Sequence, residues 1–195
     1  MVDTIASVFA GVALAAACGF RVFVPLLVLS IASTLGAIPL ADDFSWLATM
    51  PALIALATAT IMEIAAYYVP WLDHALDVVA TPAAVLAGVI TTAAVVADLS
   101  PALRWALAIV GGGGVAGAVQ GGTVLLRLKS GVMTAGVGNP LVATGETASS
   151  TVTSVLAVVV PVLAFFLVLA TIVILVLVAR RAIAPPRPGE PPESA

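Results

Sequence analysis

From Asp3 to Gly36 the chain runs apolar for about 34 residues, and the only charge inside that run is Arg21. At about 1.5 Å per helical residue such a run outreaches a hydrocarbon core of about 30 Å by roughly 20 Å, so it must tilt, protrude or break. Gly19-Phe20-Arg21-Val22-Phe23-Val24-Pro25 supplies the break. Pro25 has no N–H for the helical ladder, and its ring presses on the carbonyl of Arg21. Arg21 is thereby set near mid-membrane, where even a lenient insertion scale charges about 2.5–3.5 kcal/mol for an arginine. It is expected to face the bundle interior and to find an acceptor, Glu146 first and Glu63 second.

The rest of the composition fits a bilayer. With 62% hydrophobic residues, 9% charged residues and a mean hydropathy of +1.23, a water-soluble domain could not cover its own surface. The chain reads as an all-α integral membrane protein. About five transmembrane helices are expected, with broken or re-entrant segments and short interfacial helices, in a single embedded domain over residues 1–183. The tail, residues 184–195, carries five prolines and is expected to be disordered. A net charge of −3 with no basic patch argues against nucleic acid as a partner. The lone cysteine, Cys18, rules out an intrachain disulfide. Met1-Val2-Asp3-Thr4 offers no basic n-region, so the first apolar run is expected to be retained rather than cleaved.

Along the chain, a second span is expected over residues 47–68, closing on an interfacial aromatic belt of Tyr67, Tyr68 and Trp71; Trp46 marks the same kind of belt at its start. Asp73 and Asp77 then share one face of a short surface helix that Thr81-Pro82 is expected to end. A third span follows over residues 82–97. Ser100-Pro101 opens a fourth, taken to about Leu126, in which Gly113, Gly117 and Gly121 leave a flat stripe for a second copy or a partner helix. Gly111-Gly112-Gly113-Gly114 is no phosphate loop, having neither a preceding strand nor a following Lys-Ser/Thr. Arg127 and Lys129 read as interfacial polar residues ahead of residues 131–150, where a re-entrant course would leave the count of spans unchanged and a full extra span would invert it. A last run, interrupted by Pro161, ends at Arg180-Arg181. A weak repeat aligns the Thr81-Pro82 and Asn139-Pro140 breaks.

Five spans place the N-terminus on one side with Arg127 and Lys129, and Asp42, Asp43, Arg104 and the tail on the other. The residues from Asn139 to Arg181 are expected to be too few for two full spans and a turn. The excess of arginine on the tail's side puts the tail in the cytoplasm, with the chain multi-pass in the cell membrane.

The candidate binding residues are Arg21, Glu63, Asn139, Glu146, Thr147, Ser149 and Ser150, with Gly145, Thr151 and Thr153 around them. Hydroxyls and exposed backbone at a helix start are what broken helices use to hold ions near a membrane midplane. His74 beside Asp73 and Asp77 reads as a solvated face rather than a metal site. With a single histidine and no nucleophile elbow, neither catalysis nor a cofactor is expected.

Three motifs in order resemble a bacterial polytopic membrane family catalogued only as a domain of unknown function, DUF4126. They are Ala17-Cys18-Gly19-Phe20-Arg21-Val22-Phe23-Val24-Pro25-Leu26-Leu27, Met62-Glu63 with Pro70-Trp71-Leu72-Asp73, and Gly138-Asn139-Pro140 with Gly145-Glu146 and Ser149. Some members carry an Asp-Lys pair where Tyr67-Tyr68 stand. The resemblance implies a fold and three polar motifs, with no activity to carry over. Two functions fit these residues: a transporter-like or channel-like protein for an ion or small polar solute, or a non-transporting membrane scaffold or accessory subunit. A water-sized cavity at Arg21 and Glu146 would favour the first and a dry pair the second.

Overall fold

A computed structural model describes residues 2–134 and 137–183; the side chains of residues 2–3, 70–77 and 174–183 lie outside the description. The expectations for Asp73, His74, Asp77 and the tail therefore fall outside the described residues. Every described element is helical: α1 Val2–Cys18, α2 Phe23–Thr34, a 3₁₀ helix Asp42–Ala48, α3 Met50–Ala66, α4 Pro70–Val95, α5 Pro101–Leu107, a π-helical turn Ala108–Gly113, α6 Gly114–Thr134, α7 Asn139–Val159 and α8 Pro161–Ile183. By length and composition, two stretches can cross a membrane, Val78–Val95 and Pro101–Thr134. A third is added if the 3₁₀ helix and α3, bent by 67°, count as one. Such apolar helices mark a membrane protein.

The first apolar run does break at the predicted place, and the break is a reversal. Ser150 Oγ donates to the carbonyl of Ala17, so the end of α1 lies beside the middle of α7. Toward its N-terminus α1 follows α7 in one direction, reaching Phe165 just past the α7–α8 turn, where Phe9 stacks at 4.4 Å. From Arg21 onward α2 follows α7 in the same direction, and Val28, Ile31 and Leu35 lie beside Val155, Val158 and Val159. Thus α1 and α2 form a hairpin whose tip, Gly19 to Val22, points into the bundle. Gly19 is required there, because a Cβ would stand 2.6 Å from the carbonyl oxygen of Ala116 and 2.6 Å from Cβ of Val119. At the other end of α2, Gly36 takes φ +72 while Ala37 N–H donates back to Ala32, the left-handed stop usual for a helix C-terminus.

Two breaks read from the sequence are absent. Pro82 lies inside α4, which continues through it to Val95. The alignment of Thr81-Pro82 with Asn139-Pro140 thus joins a helix interior to a helix start. The fourth helical stretch does not stop at Leu126 but runs to Thr134, carrying Arg127 inward on the face it shares with Gln120 and Thr123. Of the glycine stripe, Gly113 and Gly117 are covered within the chain, by Val85 and Val89 of α4, while Gly121 meets nothing.

Residues 139–150, for which the sequence leaves both a re-entrant course and a full span open, start a regular helix, α7, of 21 residues. Only Val160, with φ −139 and ψ 72, separates it from α8 of 23 residues. α8 folds back along α7: Ser149, Val152 and Thr153 line one groove with Leu167, Val168, Thr171 and Ile172. The residues from Asn139 to Arg181 thus hold two helices of full length, since each exceeds about 30 Å and the turn consumes one residue.

These reversals rearrange the two ends of the bundle. Thr4 Oγ1 donates to Asp98 at 3.4 Å, Ala41 N–H to Ala94 at 2.8 Å, and Arg104 pairs with Asp43 at 2.6 Å. The start of α1 therefore shares an end with Asp43, Asp98 and Arg104, rather than facing them across the bundle. The α6–α7 connection lies at the opposite end, toward which α8 runs back along α7.

Candidate functional site

The hairpin tip is held by charges from three other elements. Glu63, near the end of α3, accepts the backbone N–H groups of Val22 and Phe23 at 2.7 and 3.0 Å. It thereby caps the start of α2, for which no side-chain cap exists within the helix's own sequence. Arg21 extends from the same tip to α7, where Nε donates to Thr147 Oγ1 at 3.0 Å and Nη2 to the carbonyl of Ala143 at 2.8 Å. Its Nη1 lies 3.2 Å from Glu146 Oε2. Arg127 comes from α6 and closes on the same carboxylate, Nε to Oε1 at 3.0 Å and Nη2 to Oε2. The side chain of Tyr67, just past α3, lies under both guanidiniums, 4.0 Å from Arg21 and 4.2 Å from Arg127, a double cation–π contact.

The centre is sealed. Arg21 is 1% exposed, Arg127 3%, Glu146 4% and Glu63 8%. A groove of about 330 Å³ among α1, α6, α7 and α8 stops short of it, lined by Phe20 and Ala148, the chain neighbours of Arg21 and Thr147, but not by Arg21 or Glu146. The hydroxyls are spread more widely than their spacing implied. Ser150 is buried and spans to α1, Thr153 is buried, and Ser149 is exposed on the groove. Asn139 is buried at the start of α7, about two turns from Glu146. Gly145, Thr151 and Lys129 are exposed.

Arg127 and Tyr67 correct the sequence reading. Sequence pattern puts Arg127 at the interface with Lys129 and Tyr67 in an aromatic belt, yet both are buried at the centre. Two positions apart on a helix, Arg127 and Lys129 point to different faces, and only the first meets an acceptor on α7. The signal available was helical spacing: Thr123 and Arg127 follow Gln120 by three and seven residues, a polar stripe along one face of the helix. Tyr68 takes the outward position and hydrogen bonds Thr144 of α7 at 2.8 Å.

The profile of a domain of unknown function, DUF4126, matches residues 8–181. The chain belongs to that family. Within the matched span lie every member of the buried centre, all of α2 and α1 from Val8 onward. No curated protein and no solved structure matches the chain.

Proposed function

We propose that this protein is a transporter-like or channel-like membrane protein for an ion or small polar solute, described here in an occluded conformation. The observation that carries this reading is the α1–α2 hairpin, which brings Arg21 and the Glu63-capped N-terminus of α2 into the bundle interior. Discontinuous helices whose ends meet charge at mid-membrane are the way many transporters build a solute site. Ionisable residues at that depth are expensive and, by default, functional. Apolar packing would hold these helices together without two arginines and two glutamates.

The helices fit a multi-pass arrangement in which α3, α4, the α5–α6 stretch, α7 and α8 cross the bilayer and the hairpin enters and leaves on one side. Lys129 and the basic residues after the last apolar run then share a side. The positive-inside rule favours that side as cytoplasmic, with the tail.

A second reading, a non-transporting scaffold or accessory subunit, is favoured by the sealing of the centre. Two cations and two anions balance, each is almost fully buried, and the groove does not reach them. A buried ion network can serve only to fix which helices pack together. Flux measurements in proteoliposomes separate the two. Under the transport reading the wild type moves at least one ion or metabolite of a broad panel, and Glu146→Gln abolishes or uncouples that flux. A wild type that moves nothing ends the transport reading and leaves the scaffold.

A further inference from the structure

We infer that the Glu146 carboxylate occupies an anion site, standing between Arg21 and Arg127 where a small monovalent anion binds once Glu146 takes up a proton and withdraws. This rests on the reading of the buried centre as a solute site and names the class of solute.

The charge distribution is the first argument. Across the four ionisable groups charge balances, but it is divided unevenly. Glu63 is occupied by the backbone N–H groups of Val22 and Phe23, so two guanidiniums are left to share the single carboxylate of Glu146. Two guanidiniums converging on one acceptor is how proteins recognise carboxylates and other oxyanions. Here the acceptor is tethered to the protein.

The second argument is an unfilled donor. Arg21 Nη1 is buried and makes no hydrogen bond among the described residues, although Glu146 Oε2 lies 3.2 Å from it. Nε and Nη2 of the same guanidinium are well placed on Thr147 and Ala143. The guanidinium is therefore anchored by two of its nitrogens while the third is offered toward the carboxylate without good geometry. A buried donor left so is costly, and a freely placed anion can satisfy it where a tethered one does not.

The third argument is access. The groove ends on Phe20 and Ala148, and Ser149, Thr153 and Thr171 give its wall hydroxyls. Phe20 is the chain neighbour of Arg21, and Ala148 that of Thr147. The groups facing Glu146 are Arg21 from the hairpin tip, Arg127 from α6, Tyr67 from beyond α3 and Thr147 on its own helix, with Glu63 behind the tip. α2 carries no charge, and neither do the α8 residues that line the groove beside α7. Exchange brings in one anion and one proton from solution, so the charge of the centre is unchanged and no other group need ionise.

The test is anion binding by purified full-length protein in nanodiscs. Nitrate, chloride and formate are titrated against gluconate at constant ionic strength, with thermal unfolding and calorimetry in buffers of different ionisation enthalpy as readouts. The wild type should show saturable stabilisation with one proton taken up per anion, an affinity that falls about tenfold per pH unit on the alkaline side. Glu146→Gln should bind the anion without proton uptake and without that pH dependence, and adding Arg127→Gln should abolish binding. Absence of saturable binding by the wild type at acid pH overturns the inference, as does binding with no proton uptake. Flux of another solute without anion binding sinks this assignment and upholds transport; proton-linked binding without flux does the reverse.

Discussion

Arg127 on α6 and Glu146 on α7 form a two-pronged ion pair, Nε on Oε1 at 3.0 Å and Nη2 on Oε2, inside a bundle that exposes many large apolar side chains. Parallel N–H···O bonds of this kind fix the rotation of both helices as well as their distance. Arg21 joins on the same carboxylate, so a single residue of α7 ties α6 and the hairpin together.

Removing that residue should cost more than removing either cation. Glu146→Gln leaves two buried guanidiniums without a charge partner and is expected to destabilise by about 3–5 kcal/mol, the range for breaking a buried pair. Arg127→Met should cost less, because Arg21 still serves Glu146. The double variant should fall well short of the sum. Chemical unfolding of the purified protein measures all three; strict additivity would contradict the shared carboxylate.

The cap supplied by Glu63 is separable from the ion pairs. Glu63→Ala strands two buried N–H groups, each worth about 1–3 kcal/mol, and Glu63→Gln keeps one acceptor and should lose about half as much. Amide hydrogen exchange at Val22 and Phe23 should accelerate in both, most in the alanine variant. Unchanged exchange there would mean that the cap does not hold the tip.

Glycine positions divide by what they touch. Gly19→Ala drives a methyl to 2.6 Å from the Ala116 oxygen and should cost about 1–3 kcal/mol, since α1 and α6 must part. Gly145→Ala meets nothing within 4 Å and should stabilise α7 by up to about 1 kcal/mol. Thermal unfolding of the pair checks the contrast, and equal shifts would remove the close approach of the tip to α6.

The reversal at Arg21 has a topological consequence. Cysteines at Thr4 and Asp98 should react with an impermeant thiol reagent from one side of the membrane, and a cysteine at Lys129 from the other, in a background where buried Cys18 is replaced by serine. If Thr4 and Asp98 label from opposite sides, the first apolar run crosses the membrane and the hairpin is wrong.

Composition and hydrophobic patterning dictate the solvent, the helical class and the costliest residues. Apolar runs with so few charges leave helices in a bilayer as the outcome, because unpaired backbone is intolerable there. Arg21, in the middle of such a run and beside Gly19 and Pro25, had to turn inward and find an acid; its pairing with Glu146 follows from that need. Direction was decided only by tertiary structure. A break before proline is equally compatible with a bend, a reversal or, as at Pro82, an uninterrupted helix, since the local backbone loses the same hydrogen bond in each. The choice between them was made by distant partners. Glu63 caps the start of α2, Gly19 lets α6 approach the tip, and Glu146 draws Arg127 inward from a position that in isolation reads as a helix end.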